Sequence, residues 1–113
     1  MLSKILYIIF FSTLFADSYN MQLLSFMEFE QNSSDITGFY QDGREFAVIG
    51  LQNAAAFVDI TNPYEPFEID RIEGSSSIWR DIKYWNRHVY IGTEAEDGIK
   101  VVNVNNIDEP ILI

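Results

Sequence analysis

A run of short apolar strands occurs twice along this chain, in the same order. Phe46–Ala47–Val48–Ile49–Gly50, Phe57–Val58–Asp59–Ile60 and Pro66 are followed by His88–Val89–Tyr90–Ile91–Gly92, Val101–Val102–Asn103–Val104 and Pro110. The first pieces lie 42 residues apart and the later ones 44, so two residues are inserted between them. A period of about 40–50 residues made of short strands is the pattern of β-propeller blades. The fold class expected is therefore all-β and propeller-like, with about two four-stranded antiparallel blades. Closure takes about 4–8 blades, so the reading expects the front end of a longer protein.

Period-two alternation runs along nearly the whole chain. Phe46 to Leu51 and Ala55 to Ile60 are apolar on both faces, as in strands covered on either side. Asp42–Gly43 and Asn86–Arg87 predict tight hairpin turns, and Thr61–Asn62–Pro63 predicts a strand end. With Phe67 to Ile72 and Ile78 to Tyr84, the expectation is four strands between Phe46 and Tyr84, one blade. The repeats are then 45–86 and 87–113, within a partial propeller over 19–113. An outer half-blade is expected at 21–44, because Leu23 to Phe29 precedes Phe67 to Glu73 by 44 residues. Alanine at 54, 55 and 56 predicts a place where sheets approach closely, and Ile111–Leu112–Ile113 begins one further strand.

The first residues read differently. Lys4 precedes an uncharged apolar run of 11 residues, Ile5 to Phe15, and small and polar residues follow. This is the layout of a secretory signal peptide over 1–18, cut after Ala16 or Ser18. The run is shorter than the roughly 20 residues of a membrane span. The expected destination is outside the cytoplasm: extracellular, cell-surface or periplasmic. With no cysteine, such a protein has no disulfides and no thiol chemistry. Seventeen acidic residues against seven basic ones give a net charge of −10, with no basic stripe, which excludes nucleic acid as a partner. A composition of 48% hydrophobic and 15% aromatic residues is that of a folded chain.

The segments Gly43 to Leu51, Ala56 to Pro63, Ser76–Ser77–Ile78–Trp79–Arg80–Asp81–Ile82–Lys83 and Gly98 to Val104 together resemble the choice-of-anchor B family, exported proteins built on LVIVD-type propeller repeats. Asn103 replaces the Asp of that pattern. The resemblance covers about residues 21–113. It implies a surface or extracytoplasmic propeller followed by one of several interchangeable anchors, with no established biochemical activity. Its His-containing segments have no counterpart here.

Trp79–Arg80–Asp81 is the most distinctive cluster. A structural reading has Arg80 and Asp81 bonding adjacent strands or blades, with Trp79 filling a gap between sheets. A functional reading puts Arg80 at a channel mouth where an anion docks. Glu94, Glu96 and Asp97 make an oxygen-rich hairpin and are the candidate Ca²⁺ ligands, although Asp97–Gly98 also suits a tight turn. His88, the only histidine, opens a strand after a turn and is read as an inter-strand or surface residue. No nucleophile elbow or phosphate loop is present, so no catalytic residue is assigned.

The expected role is non-catalytic: a scaffold displaying loops 31–35, 73–77 and 94–98 to a protein or extracellular ligand, completed by further blades. The alternatives are part of an exported hydrolase or quinoprotein-like oxidoreductase whose catalytic residues lie elsewhere, and a Ca²⁺-stabilised surface module.

Overall fold

The computed structural model describes residues 20–113, so the expected leader over 1–18 lies outside the described residues. Eight strands follow one another: β1 (Ser33–Gln41), β2 (Arg44–Leu51), β3 (Ala54–Asp59), β4 (Phe67–Glu73), β5 (Arg80–Trp85), β6 (His88–Thr93), β7 (Ile99–Asn103) and β8 (Ile111–Leu112). They form two four-stranded antiparallel sheets, ordered β1-β2-β3-β4 and β5-β6-β7-β8. Among the described residues no helix is long and apolar enough to cross a membrane.

The division between the sheets corrects the blade expected from Phe46 to Tyr84. Two-residue turns join β1 to β2 and β5 to β6. Asp42 and Gly43 have φ of 53° and 81°, and Asn86 and Arg87 have 48° and 59°. These left-handed pairs match the twist of flanking strands and close hairpins within one sheet. Residues 74–79 have no such turn and cross from the edge of one sheet to the start of the next. Each sheet thus begins one strand before the repeated apolar motif. Residues 21–29 are correspondingly not a strand, whereas 33–41 belongs to the first complete sheet and not to a preceding half-blade.

The repeat is reproduced bond for bond at the third-strand exits. Asp59 Oδ1 accepts from the Thr61 amide at 2.8 Å, and Asn103 Oδ1 accepts from the Asn105 amide at 2.9 Å. Asn62 and Asn106 repeat this with Tyr64 and Asp108 at 3.2 and 3.3 Å. Ile60 N–H reaches Glu45 O as Val104 N–H reaches Arg87 O. The turn itself needs only a side-chain oxygen, so Asn103 serves it as Asp59 does, while the second carboxylate oxygen of Asp59 also pairs with Arg44 at 2.7 Å.

Phe46, Val48, Ala55 and Phe57 of the first sheet pack face to face with Ile82, Val89, Ile91 and Val102 of the second, all buried. Burying each large side chain is worth about 1.5–3 kcal/mol. Approach between the sheets is concentrated on β5, against β1 and β2. Along that seam Asp35 Oδ2 accepts from Ile82 N–H at 2.8 Å, the Phe39 and Tyr84 rings stack with centroids 4.1 Å apart, and the Tyr84 hydroxyl donates to Gln41 Oε1. Buried Gln41 in turn donates to Val104 O at 2.7 Å. The first strands are therefore the hub of the assembly.

Candidate functional site

The crossing segment 74–79 delivers the Trp79–Arg80–Asp81 cluster to the head of the seam between β1 and β5. Arg80 is 3% exposed. Its Nε donates to Leu51 O at 2.7 Å, and Nη2 donates to Gln52 O at 3.1 Å and to Ser75 O. The guanidinium clasps the β2–β3 turn of the opposite sheet together with the crossing segment. Its acceptors are three backbone carbonyls, so it is a cross-link between sheets. The anion-docking alternative lacks the free guanidinium it requires.

Asp97 approaches the same joint from the β6–β7 hairpin. Its Oδ2 accepts from the Ser75 amide at 2.9 Å and pairs with Lys100 Nζ. The Lys100 ammonium, then the Ser75 N–H, hold this carboxyl well below the usual range. Gly74 is fitted between the two charged groups: a Cβ there would stand 2.9 Å from Asp97 Oδ2 and 3.1 Å from Arg80 Nη1. Ser77, buried, accepts from the Trp79 amide at 2.9 Å and donates to the Glu94 carboxylate at 2.7 Å. That hydroxyl lowers the Glu94 pKa. Glu94 and Asp97 are thus engaged with different residues while Glu96 is exposed, and the described residues bring together no group of three acidic or imidazole ligands. The hairpin serves as a brace for the crossing segment, not as a converging oxygen cage.

Trp79 does not fill the gap between sheets; it is 71% exposed. It lines a cavity of about 430 Å³ with Ser33, Ser34, Asp35, Ile78, Arg80 and Asp81. Asp35 is held ionised chiefly by the Ile82 N–H, with Lys83 Nζ at 3.6 Å. Asp81 is exposed and makes no hydrogen bond or ion pair. The cavity therefore offers an indole face, hydroxyls and two carboxylates, which suit binding by stacking and hydrogen bonding. It holds no nucleophile–base pair. His88 stands at the opposite end of the sheet, where its pairing with Asn103 and Trp85 places it, and Nδ1 lies 2.8 Å from Asn86 O. That carbonyl only accepts, so Nδ1 carries the proton.

Sequence reasoning missed Ser77, Asp35 and the Lys100–Asp97 pair. Only Ser77 had a signal, since it stands in the Ser76–Lys83 segment on which the resemblance rests. Comparison with family models, with curated proteins and with solved structures gives no match to this chain.

Proposed function

We propose that this chain is an exported, non-catalytic β-propeller scaffold, similar to the LVIVD-type choice-of-anchor B proteins, that holds rigid loops for protein or ligand binding outside the cytoplasm. One observation carries the reading. The two sheets repeat the same turn bonds and meet through their first strands, as blades arranged about an axis do. The propeller, the export and the display role are parts of one argument. A leader sends the chain out, cysteine-free sheets give it rigidity, and the heads of β1 and β5 present Trp79, Asp81 and the 31–35 loop on fixed backbone. Arg80 supports the rigid-scaffold part, because its guanidinium joins the crossing segment to the opposite sheet through main-chain carbonyls.

The test uses the product made by its source. N-terminal sequencing is expected to find a start at Asp17 or Tyr19. Labelled protein is expected to bind saturably to its target surface, and Trp79→Ala, which removes no buried contact, is expected to abolish binding while leaving the melting temperature unchanged. Substrate turnover that disappears with Asp81→Asn or His88→Ala would overturn the non-catalytic reading.

A further inference from the structure

Residues 77–80 hold a large apolar surface out in solvent on a fixed backbone. Ile78 is 60% and Trp79 71% exposed, while Ser77 and Arg80 on either side of them are 6% and 3% exposed. The Trp79 N–H donates to the Ser77 hydroxyl, which is itself tied to Glu94, and the Arg80 guanidinium is clasped by three carbonyls. The backbone that carries the indole is thus anchored on both sides with the ring facing away from the core. An exposed apolar surface rimmed by polar groups marks a place where something binds.

The cavity beside the indole, about 430 Å³, is of the size that small molecules occupy. Each sheet supplies one carboxylate to it, Asp35 from β1 and Asp81 from β5. One oxygen of Asp35 is taken by the Ile82 N–H. Among the described residues the Asp81 carboxylate and the exposed Ser33 hydroxyl have no partner. The charges are already balanced. Lys83 Nζ stands 3.6 Å from Asp35 Oδ2, and buried Arg80 adds a second positive charge to the wall. Two carboxylates are therefore offset by two cations, and a cationic ligand finds no excess negative charge. An anion would meet Asp81 with the Arg80 donors already engaged, and a wholly apolar ligand would strand Asp81 and Ser33 without partners.

We infer that this cavity binds a neutral pyranose, with the C–H face of the sugar ring stacked on the Trp79 indole, neighbouring hydroxyls donating to the Asp81 carboxylate, and a further hydroxyl held at Asp35 and Ser33. A pyranose answers each feature at once. Its C–H face is apolar and faintly positive, which suits the negative face of an indole. Its hydroxyls donate, and an ionised carboxylate is acceptor-only with two oxygens to offer. Bonds of this charge-assisted kind are stronger than neutral ones, and the sugar brings no charge of its own to a chain of net −10. Free oligosaccharides and surface polysaccharides share this chemistry. The sugar site rests on the display reading proposed above and names a ligand class for it.

The experiment uses the full chain carrying Trp85→Phe, which leaves Trp79 as its one tryptophan. Its emission is followed while cellotetraose, maltotetraose, chitotetraose and mannotetraose are each titrated into the millimolar range. The expected result is a saturable change with at least one of them, unaltered by added salt because the ligand is neutral. Calorimetry on otherwise unaltered protein should then find binding weakened by roughly 30-fold or more in Trp79→Ala and by about tenfold in Asp81→Asn, with both melting temperatures unchanged. Tighter retention on the matching insoluble polysaccharide, lost with Trp79→Ala, would identify a surface glycan as the source, and equal affinity for the tetramer a free oligosaccharide. No saturable response to any of the four sugars, or a salt-sensitive response to tetramethylammonium in their place, would overturn the inference, as would sugar binding that Trp79→Ala leaves intact. A protein target still captured through Trp79 when all four sugars fail would overturn the sugar site and leave the display role standing. Cleavage of a bound tetrasaccharide would overturn the non-catalytic reading and keep the sugar site.

Discussion

Replacing Arg80 by methionine removes the guanidinium and keeps most of the stem. Three carbonyls, those of Leu51, Gln52 and Ser75, lose a charged donor. Hydrogen bonds to charged groups are worth about 1.5–3 kcal/mol net, and a buried acceptor left unpaired costs about 1–3 kcal/mol. Leu51 is fully buried, so its carbonyl bears the full penalty. Gln52 and Ser75 are only partly buried and recover part of theirs from water. Relief from desolvating the guanidinium offsets several kcal/mol. The expected net loss is about 3–4 kcal/mol. With a urea dependence of about 1–3 kcal/mol per molar, the midpoint followed by far-UV circular dichroism should fall by roughly 2 M. Arg80→Lys, with a single ammonium unable to span three acceptors, should recover only about a third of the loss. A loss below about 1 kcal/mol for Arg80→Met would refute the cross-link argument. Unchanged stability together with lost anion binding would restore the channel-mouth reading.

Acid should unfold the protein through its carboxylates. Asp35, Asp59, Glu94 and Asp97 all have folded-state pKa values below their unfolded ones, so their contribution is complete above the unfolded values near pH 4 and is lost as pH falls through the folded ones. Asp97→Asn should flatten the acid limb of a stability–pH curve, and an unaltered limb would refute its pairing with Lys100 and Ser75. A Cβ at Gly50 would lie 2.6 Å from Ser34 Oγ and 3.0 Å from Arg80 Cβ, while one at Gly92, the same position one repeat later, has only Asp81 O at 3.9 Å. Gly50→Ala should therefore cost about 1–3 kcal/mol in thermal unfolding, and Gly92→Ala little. Equal costs would show that the seam is not as tight as the packing implies. Millimolar Ca²⁺ should leave the melting temperature unmoved; a rise abolished by Glu96→Gln would revive the calcium-stabilised module.

Much of the architecture was legible because it is written in side chains. The Asp42–Gly43 and Asn86–Arg87 turns, the three buried alanines and the Asn62–Pro63 strand exit occur where their chemistry predicts. The phase of the sheets was harder to read, because a repeat has the same period wherever it is cut. The deciding information lay in connection types. Tight two-residue turns fix which strands share a sheet, whereas longer links do not: 60–66 and 104–110 stay within one sheet and 74–79 crosses between two. Leu23 to Phe29 shows the complementary limit. Its alternation is strand-like, but a strand also needs a backbone partner, and alternation says nothing of whether one is present.

The joint was least legible for a related reason. Arg80 is satisfied by main-chain carbonyls, and every residue carries one of those, so no residue type at any spacing announces its partners. The side-chain half of the joint was equally ambiguous. Glu94 and Asp97 look like an oxygen-rich loop in one dimension, yet in three they diverge, one to a serine hydroxyl and the other to a lysine and an amide. The inserted residues of the β6–β7 hairpin explain the difference from the first sheet. There the β2–β3 turn, only Gln52 and Asn53 long, offers Gln52 O to Arg80 and Asn53 O to the Gly74 amide. The longer hairpin instead reaches back over the crossing segment with Asp97. The two hairpins thus grip residues 74–80 from opposite sides, and that grip fixes the angle at which the second sheet leaves the first.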